Sequence, residues 1–234
     1  MSAPGKLYLI PNFLGNSNVD LLPRFNIQCI HGLREFVIEN EKPARAFLKA
    51  IQTPISQDDF IFHFLNKHTD PMEVPGFLRA CMRGENIGLL SDAGLPCVAD
   101  PGYQVVKIAL QKGIDVVPLS GQSSIMQALM ASGFTGQNFQ FHGYLPHNKE
   151  RKSKMIRTLV SNINKGQTQI FIETPYRNAS VIADLKGALA SNIELCVVVD
   201  ISLDTEQIIR KKLADWGVQE DFLHKRPAVF VLGL

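Results

Sequence analysis

Short, uninterrupted apolar runs, spaced so that helical stretches fit between them, constrain this chain more than any other feature. In the first half they are Leu7–Ile10, Phe36–Ile38, Phe60–Phe64, Ile87–Leu90 and Asp115–Leu119. The second half adds Phe139–Leu145, Gln169–Glu173, Glu194–Ile201 and Ala228–Leu234. Several are continuous rather than alternating, as strands covered on both faces must be. Helical patterns lie between them. Pro101 suits a first helical turn, with Val105, Val106, Ala109 and Leu110 as the apolar stripe that follows. Ser123–Ser132 and Arg151–Ile163 read as further helices, the latter with Met155, Ile156, Leu159, Val160 and Ile163 on one face. Strand alternating with helix predicts an α/β fold over a largely parallel sheet. From Gln169 onward the wider spacing allows mixed strand directions. The segment "VVPLSGQSS" is the expected join between an N-terminal α/β domain, 1–118, and a C-terminal α/β domain, 119–234, with a cleft between them.

Composition narrows the function classes. The chain has 234 residues, 45% hydrophobic and 20% charged, which is too apolar for disorder. A formal net charge of +2 neither demands nor excludes a nucleic-acid partner. Cys29, Cys81, Cys97 and Cys196 are widely spaced with no CxxC pair, so free thiols are expected and a metal site is not. No apolar stretch reaches the roughly 18 residues of a membrane span, and the N-terminus lacks a charged-then-apolar signal pattern. A soluble cytoplasmic protein without a membrane partner is the expectation. GxGxxG, GxxxxGK[ST], HExxH and GxSxG are all absent, which disfavours dinucleotide binding, P-loop hydrolysis, zinc proteolysis and α/β-hydrolase chemistry.

Two loops carry the site signal. "GLLSDAGLPCVADPGYQVVKIAL", Gly88–Leu110, leaves a buried strand and sets Asp92, Asp100, Gly94, Gly102, Pro96 and Pro101 close together. That is more backbone control than a reversal needs, and it lies at a strand's carboxyl end, where α/β folds place ligand contacts. Asp100, directly before Pro101, is suited to capping the helix; Asp92, at the strand's mouth, is suited to a ligand or active-site role. The second loop, in "VVPLSGQSSIMQALMASGF", turns at Ser120–Gly121 into a helix that Ser123 or Ser124 can cap. Free N–H groups at such a start favour a polar or anionic ligand group, though the serines serve equally as plain caps.

The series "SDAGLPCVADPG", "VPLSGQSS", "FHGYLPHNK" and "IETPYR", with "LYLIPNFLGN" near the start, resembles the tetrapyrrole-methylase-like class of S-adenosylmethionine-dependent methyltransferases. Within that class it is similar to the small-subunit ribosomal RNA (cytidine-2′-O)-methyltransferase branch, which reads SDAGTPGISDPG, VPLPGPSA, F.GFLP.K, E[ST]PHR and LYLVPTPIGN. The resemblance implies two α/β domains with S-adenosyl-L-methionine folded between them, usually in a homodimer. It sets Leu14, Asp92, Ala93, Leu95, Ser124 and Ile125 at cofactor-binding positions, and Glu173 with the segment after it on the second domain's wall.

Methyl transfer to a hydroxyl needs positioning, a desolvated site and one general base. Asp92 and Glu173 rank first for that base. His142 is a third candidate but also reads as a packed strand residue, and Glu173 also reads as a cap for the turn after it. The branch's EDTR is "ENEK" here, Glu39–Lys42, and its YHEHNE is "FHFLNK", Phe62–Lys67. These departures bear on the acceptor more than on the cofactor. Three basic runs, Lys149–Arg157, Arg210–Lys212 and His224–Arg226, could contact RNA phosphates or be solvated surface. Trp216 and the scattered Phe residues read as core. The leading expectation is methylation of RNA of the small ribosomal subunit. The rivals are methylation of a small molecule such as a tetrapyrrole, although the GxGPG loop usual there is absent, and a cofactor-binding protein without catalysis.

Overall fold

The structure is a computed structural model and describes residues 3–15, 17–190, 192–217 and 220–234. The chain divides into two units, one ending at Ser123 and one beginning at Ser124. The first contains β1 (Leu7–Ile10), α1 (Arg24–His31), β2 (Glu35–Ile38), α2 (Glu41–Ala50), β3 (Ile61–Phe64), α3 (Arg79–Met82), β4 (Ile87–Leu90), α4 (Tyr103–Gln111) and β5 (Val116–Pro118). Its sheet runs β3-β2-β4-β1-β5, every pair parallel. All four residues of β2 and of β4 are buried, which is why these strands read as continuous apolar runs.

Alternation along each strand feeds two cores. Ile10, Phe36, Ile38 and Leu90 pack with Ile30 of α1 and with Phe47 and Leu48 of α2. Leu7, Val37, Ile87 and Leu89 face the other way, onto Cys81 of α3 and Val105 and Ala109 of α4. The helices split this way because the chain steps outward from β1 to β3 and then back through β4 to β5, and right-handed crossovers in opposite directions land on opposite faces. Adjacent strands β1 and β4 therefore send their exits to opposite sides, and a crevice opens at their carboxyl ends. Gly88, within β4, has no room for a side chain. A Cβ there would lie 2.6 Å from a ring carbon of Phe36 and 2.7 Å from Cδ1 of Ile10.

The second unit contains α5 (Ser124–Ser132), β6 (Phe139–Tyr144), α6 (Lys149–Ile163), β7 (Thr168–Glu173), α7 (Asn178–Lys186), β8 (Glu194–Val199), β9 (Gln207–Lys212) and β10 (Ala228–Gly233). Its sheet runs β6-β7-β10-β8-β9, with β6–β7 parallel and the other pairs antiparallel. Helix α5 covers one face through Ile125, Ala128 and Leu129. Helices α6 and α7 cover the other, over Phe171 and Phe230, whose rings stack at 5.1 Å.

The two α/β units and the mixed second sheet agree with the reading of the sequence. Three details differ. Strand β9 was not anticipated: it is an edge strand whose residues are mostly exposed, so its apolar signal is weak. The division falls after Ser123 rather than after Pro118: Leu119 still belongs to the first unit, since its amide donates to Leu9 O at 3.0 Å and its side chain joins the cluster around Ile10. Helix α4 starts at Tyr103 rather than at Pro101, which sits in a turn. No helix among the described residues is long and apolar enough to cross a membrane. Gly88→Ala should lower stability by about 1–3 kcal/mol, the usual cost of overpacking, read as a shift in the midpoint of chemical denaturation.

Candidate active site

The crevice at the ends of β1 and β4 is held by a side chain that is unremarkable in the sequence, Asn12. Asn12, only 5% exposed, follows β1. Its backbone bridges Gly94 in antiparallel fashion, with Asn12 N donating to Gly94 O at 3.0 Å and Gly94 N to Asn12 O at 3.1 Å. Its Nδ2 donates to Ser91 O at 3.0 Å and Asp92 O at 3.2 Å, and its Oδ1 accepts from Phe13 N at 2.7 Å. Asn26, inside α1 and 2% exposed, ties the next loop by donating to Ser120 O at 2.6 Å. Three strand-end loops are thus fixed by two buried amides.

Gly94 has φ +67°, and a Cβ there would lie 3.0 Å from Leu14, so this corner requires glycine. Leu14 and the 91–95 loop are therefore brought together. Leu95 also lines a pocket of about 520 Å³ with Pro96, Val98, Pro118, Leu119 and Gly121. Ala93 is exposed and Asp92 half-buried at the crevice. Ser124 opens α5, and Ile125 lies in the second unit's apolar cluster.

Electrostatics distinguishes this crevice from an ordinary loop. Glu39, just past β2, is pushed up to about 7, first by burial and then by the negative charges of Asp92 and Asp100. Asn40 stands where the related branch carries an acid, and its amide donates to Asp92 Oδ2 at 2.6 Å. An aspartate at that position would add a fourth carboxylate beside three others. Asp100 does not cap α4 by a side-chain bond; its Oδ1 accepts from Cys97 N at 2.8 Å and Gly102 N at 2.7 Å. Those bonds hold Cys97 and Ala99 at φ +67° and +61°, conformations that non-glycine residues seldom adopt. Burial raises Asp100 as well.

Glu173 lies in the second unit, buried at the end of β7. Its Oε2 pairs with Arg177 Nη2 at 2.8 Å and its Oε1 accepts from Thr174 N at 2.8 Å. His142 is bonded to Gln169 Oε1 at 2.8 Å within the sheet. All four cysteines are free thiols, and burial pushes Cys81, Cys97 and Cys196 up to about 11, which makes those three poor nucleophiles. No cluster of three or more His, Cys, Asp or Glu among the described residues could hold a metal ion.

Of the basic runs, Arg210 pairs with Glu194 and lies over the Phe134 ring, while Lys211 pairs with Glu220 and lies over Trp216. Trp216 is core, as expected. Arg151, Lys154 and Arg157 of α6 are exposed, as is Lys225, whereas Lys152 pairs with Asp184 at 2.6 Å.

Residues 43–216 match the family model described as Tetrapyrrole (Corrin/Porphyrin) Methylases. The chain belongs to that family, and is a methyltransferase of the S-adenosylmethionine-dependent kind. Its curated sequence relatives include the ribosomal RNA small subunit methyltransferases I of two bacteria. The Vibrio cholerae protein is 28% identical, over 97% of this chain and 76% of the relative. The Bacillus subtilis protein is 30% identical, over 90% and 68%. Among solved structures, the methyltransferase CobJ shares the fold with a TM-score of 0.67 at 14% identity, covering 98% of this chain and 94% of that one. Uroporphyrin-III-C-methyltransferase from Thermus thermophilus does so at 0.60 and 16% identity, covering 98% and 92%.

Two predictions follow from the crevice. Asn12→Ala should destabilise the chain by about 1–3 kcal/mol, because the buried Ser91 carbonyl and the part-buried Asp92 carbonyl lose their donor; chemical denaturation reads this. Glu39 titrates near 7 in the folded chain against an ordinary 4.5, so the fold holds a proton that the unfolded chain releases between these values. The stability linked to this group is complete below 4.5 and lost as pH rises through 7. Glu39→Gln should therefore lose less stability than the wild type between about pH 5 and pH 8, compared by melting temperature at each pH.

Proposed function

We propose that this chain transfers a methyl group from S-adenosyl-L-methionine to RNA of the small ribosomal subunit, with a ribose 2′-hydroxyl as first-choice acceptor. The observation that carries the reading is the crevice after β1 and β4. Loops that match the family's motifs are pinned there by Asn12, and a trio of carboxyl groups faces them. The names of the sequence relatives support the choice of acceptor.

The residues present suit the cofactor. Its sulfonium and amino groups are cationic, and Glu39, Asp92 and Asp100 provide a negative environment. Its apolar parts match the pocket of about 520 Å³ beside Leu95. When bound, S-adenosyl-L-methionine supplies an electrophilic methyl group on a positively charged sulfur.

Leu14, Ala93, Leu95, Ser124 and Ile125 are the proposed contacts, with Asp92 orienting the polar end. Asp92 is also the first candidate for general base: Asn40 holds one of its oxygens, and the other would accept the proton of the acceptor hydroxyl. Glu173 is the second candidate, and using it requires the Arg177 pair to open. The exposed cations of α6 suit phosphate contacts. A cytoplasmic location and a homodimer complete the proposal, the latter read by light scattering on the purified chain.

The test joins calorimetric titration with S-adenosyl-L-methionine to methyl transfer onto isolated small ribosomal subunits from cells lacking this protein. We expect binding and transfer, with Asp92→Asn lowering the transfer rate by about 10²–10⁴-fold. Transfer to a tetrapyrrole instead would select the small-molecule reading. Cofactor binding without transfer to either would select a non-catalytic binding protein.

A further inference from the structure

Tyr176 is 80% exposed, an unusual display for a large aromatic side chain on an otherwise well-packed unit. It sits in the turn "IETPYR" after β7, where the related branch carries histidine. The turn is anchored directly after it. Arg177, the next residue, pairs with buried Glu173 at 2.8 Å and is also within 2.6 Å of His147 Nδ1.

A second turn brings a cation to the same ring. Lys225 is exposed and held at φ +57°, and its Nζ lies 5.9 Å from the Tyr176 centroid. That conformation is fixed by its neighbour. Arg226 Nε donates to Asp200 Oδ2 at 2.7 Å and Arg226 Nη1 to Phe222 O at 3.0 Å. Asn178, fully buried, then clasps the two turns together by donating from Nδ2 to Arg226 O at 2.6 Å. Packing thus spends buried hydrogen bonds on holding a flat ring and an ammonium side by side in solvent. Neither group gains burial from the arrangement, so an internal packing role does not explain it.

We propose that Tyr176 and Lys225 form a subsite for single-stranded RNA, with an unpaired base stacked on the Tyr176 ring and an adjacent phosphate met by Lys225. The chemistry selects this ligand. A π-face stacks on any base, the ammonium offers one phosphate contact, and exposed Arg151, Lys154 and Arg157 on α6 continue the positive character of the unit. The proposal rests on the RNA-acceptor reading above and assigns to it a contact that reading does not contain.

The test uses the full chain and a single-stranded RNA of roughly a dozen nucleotides carrying 2-aminopurine, with binding followed by fluorescence. Tyr176→Ala should weaken binding about tenfold and abolish the stacking quench, while Tyr176→Phe keeps both. Lys225→Gln should lower the slope of log affinity against log salt by about 0.7, one phosphate contact on a single strand. Melting temperatures should stay at the wild-type value, since both side chains are exposed. If the wild type binds this RNA and Tyr176→Ala binds it equally well, the subsite is overturned and the acceptor reading stands. If the wild type does not bind this RNA, the subsite falls, while the acceptor reading stands or falls on transfer to small ribosomal subunits.

Discussion

The crevice depends on one buried amide. Parallel strands β1 and β4 lie side by side, yet their chains leave toward opposite faces of the sheet, so neither loop can satisfy the other through a continued ladder. Without a donor between them, Ser91 O and Asp92 O would be left without their bonds from Asn12. Asn12 supplies both donors from a single Nδ2 and closes the gap with its own backbone against Gly94. Everything beyond that point inherits its position. The left-handed turn at Gly94, the approach of Leu14, and the strained run from Cys97 to Ala99 under Asp100 all start from this anchor. A hydrophobic residue at position 12 could fill the space but could not bond the carbonyls, and the cost would fall on the loops rather than on the sheet.

Charge is arranged against this fixed frame. Three carboxyl groups face one crevice, and burial outweighs like-charge repulsion in raising Glu39. The substitution of asparagine for an acid at position 40 is informative here. In a site that already holds excess negative charge, an amide that donates to Asp92 relieves the crowding while keeping a polar contact. What looks like erosion of the branch's EDTR is therefore chemically consistent with a working site. The change at Leu65 is of another kind: it is buried in the cluster with Val37 and Leu78, where it serves packing.

Strands in the interior of the sheets were legible because both their faces are covered, so most of their residues are apolar. Strand β9 was not, because "QIIRKK" lies at an edge and puts its basic residues outside; read as sequence, it was a cationic run. The loop at Asp92 was legible from its density of turn formers and from its resemblance to a family motif. Asn12 and Asn26 were not, since a single asparagine in a loop or a helix is unremarkable until its partners, more than 75 residues away in both cases, are known. Asp100 was half legible: it is a bracket for the loop before the helix, and capping logic found the residue but not the bonds. Tyr176 lies in a recognisable motif, but its exposure was not legible, because exposure cannot be read from a residue type.

Glu173 shows how one carboxylate can be placed by two requirements at once. As the last residue of β7 it is buried, and a buried charge without a partner is costly, so Arg177 is drawn back one helical turn to meet it. That pairing fixes the backbone between them, and Tyr176 is inside that span. The same ion pair that engages Glu173 therefore helps hold the turn that carries the exposed ring. Removing Arg177 would leave the Glu173 carboxylate buried without its partner, and removing either would release the turn. Replacing both with apolar residues would cost less in stability, yet it would still free the ring. The pair is thus better understood as fixing a conformation than as adding stability, and its effect on the chain's chemistry runs through the turn it holds.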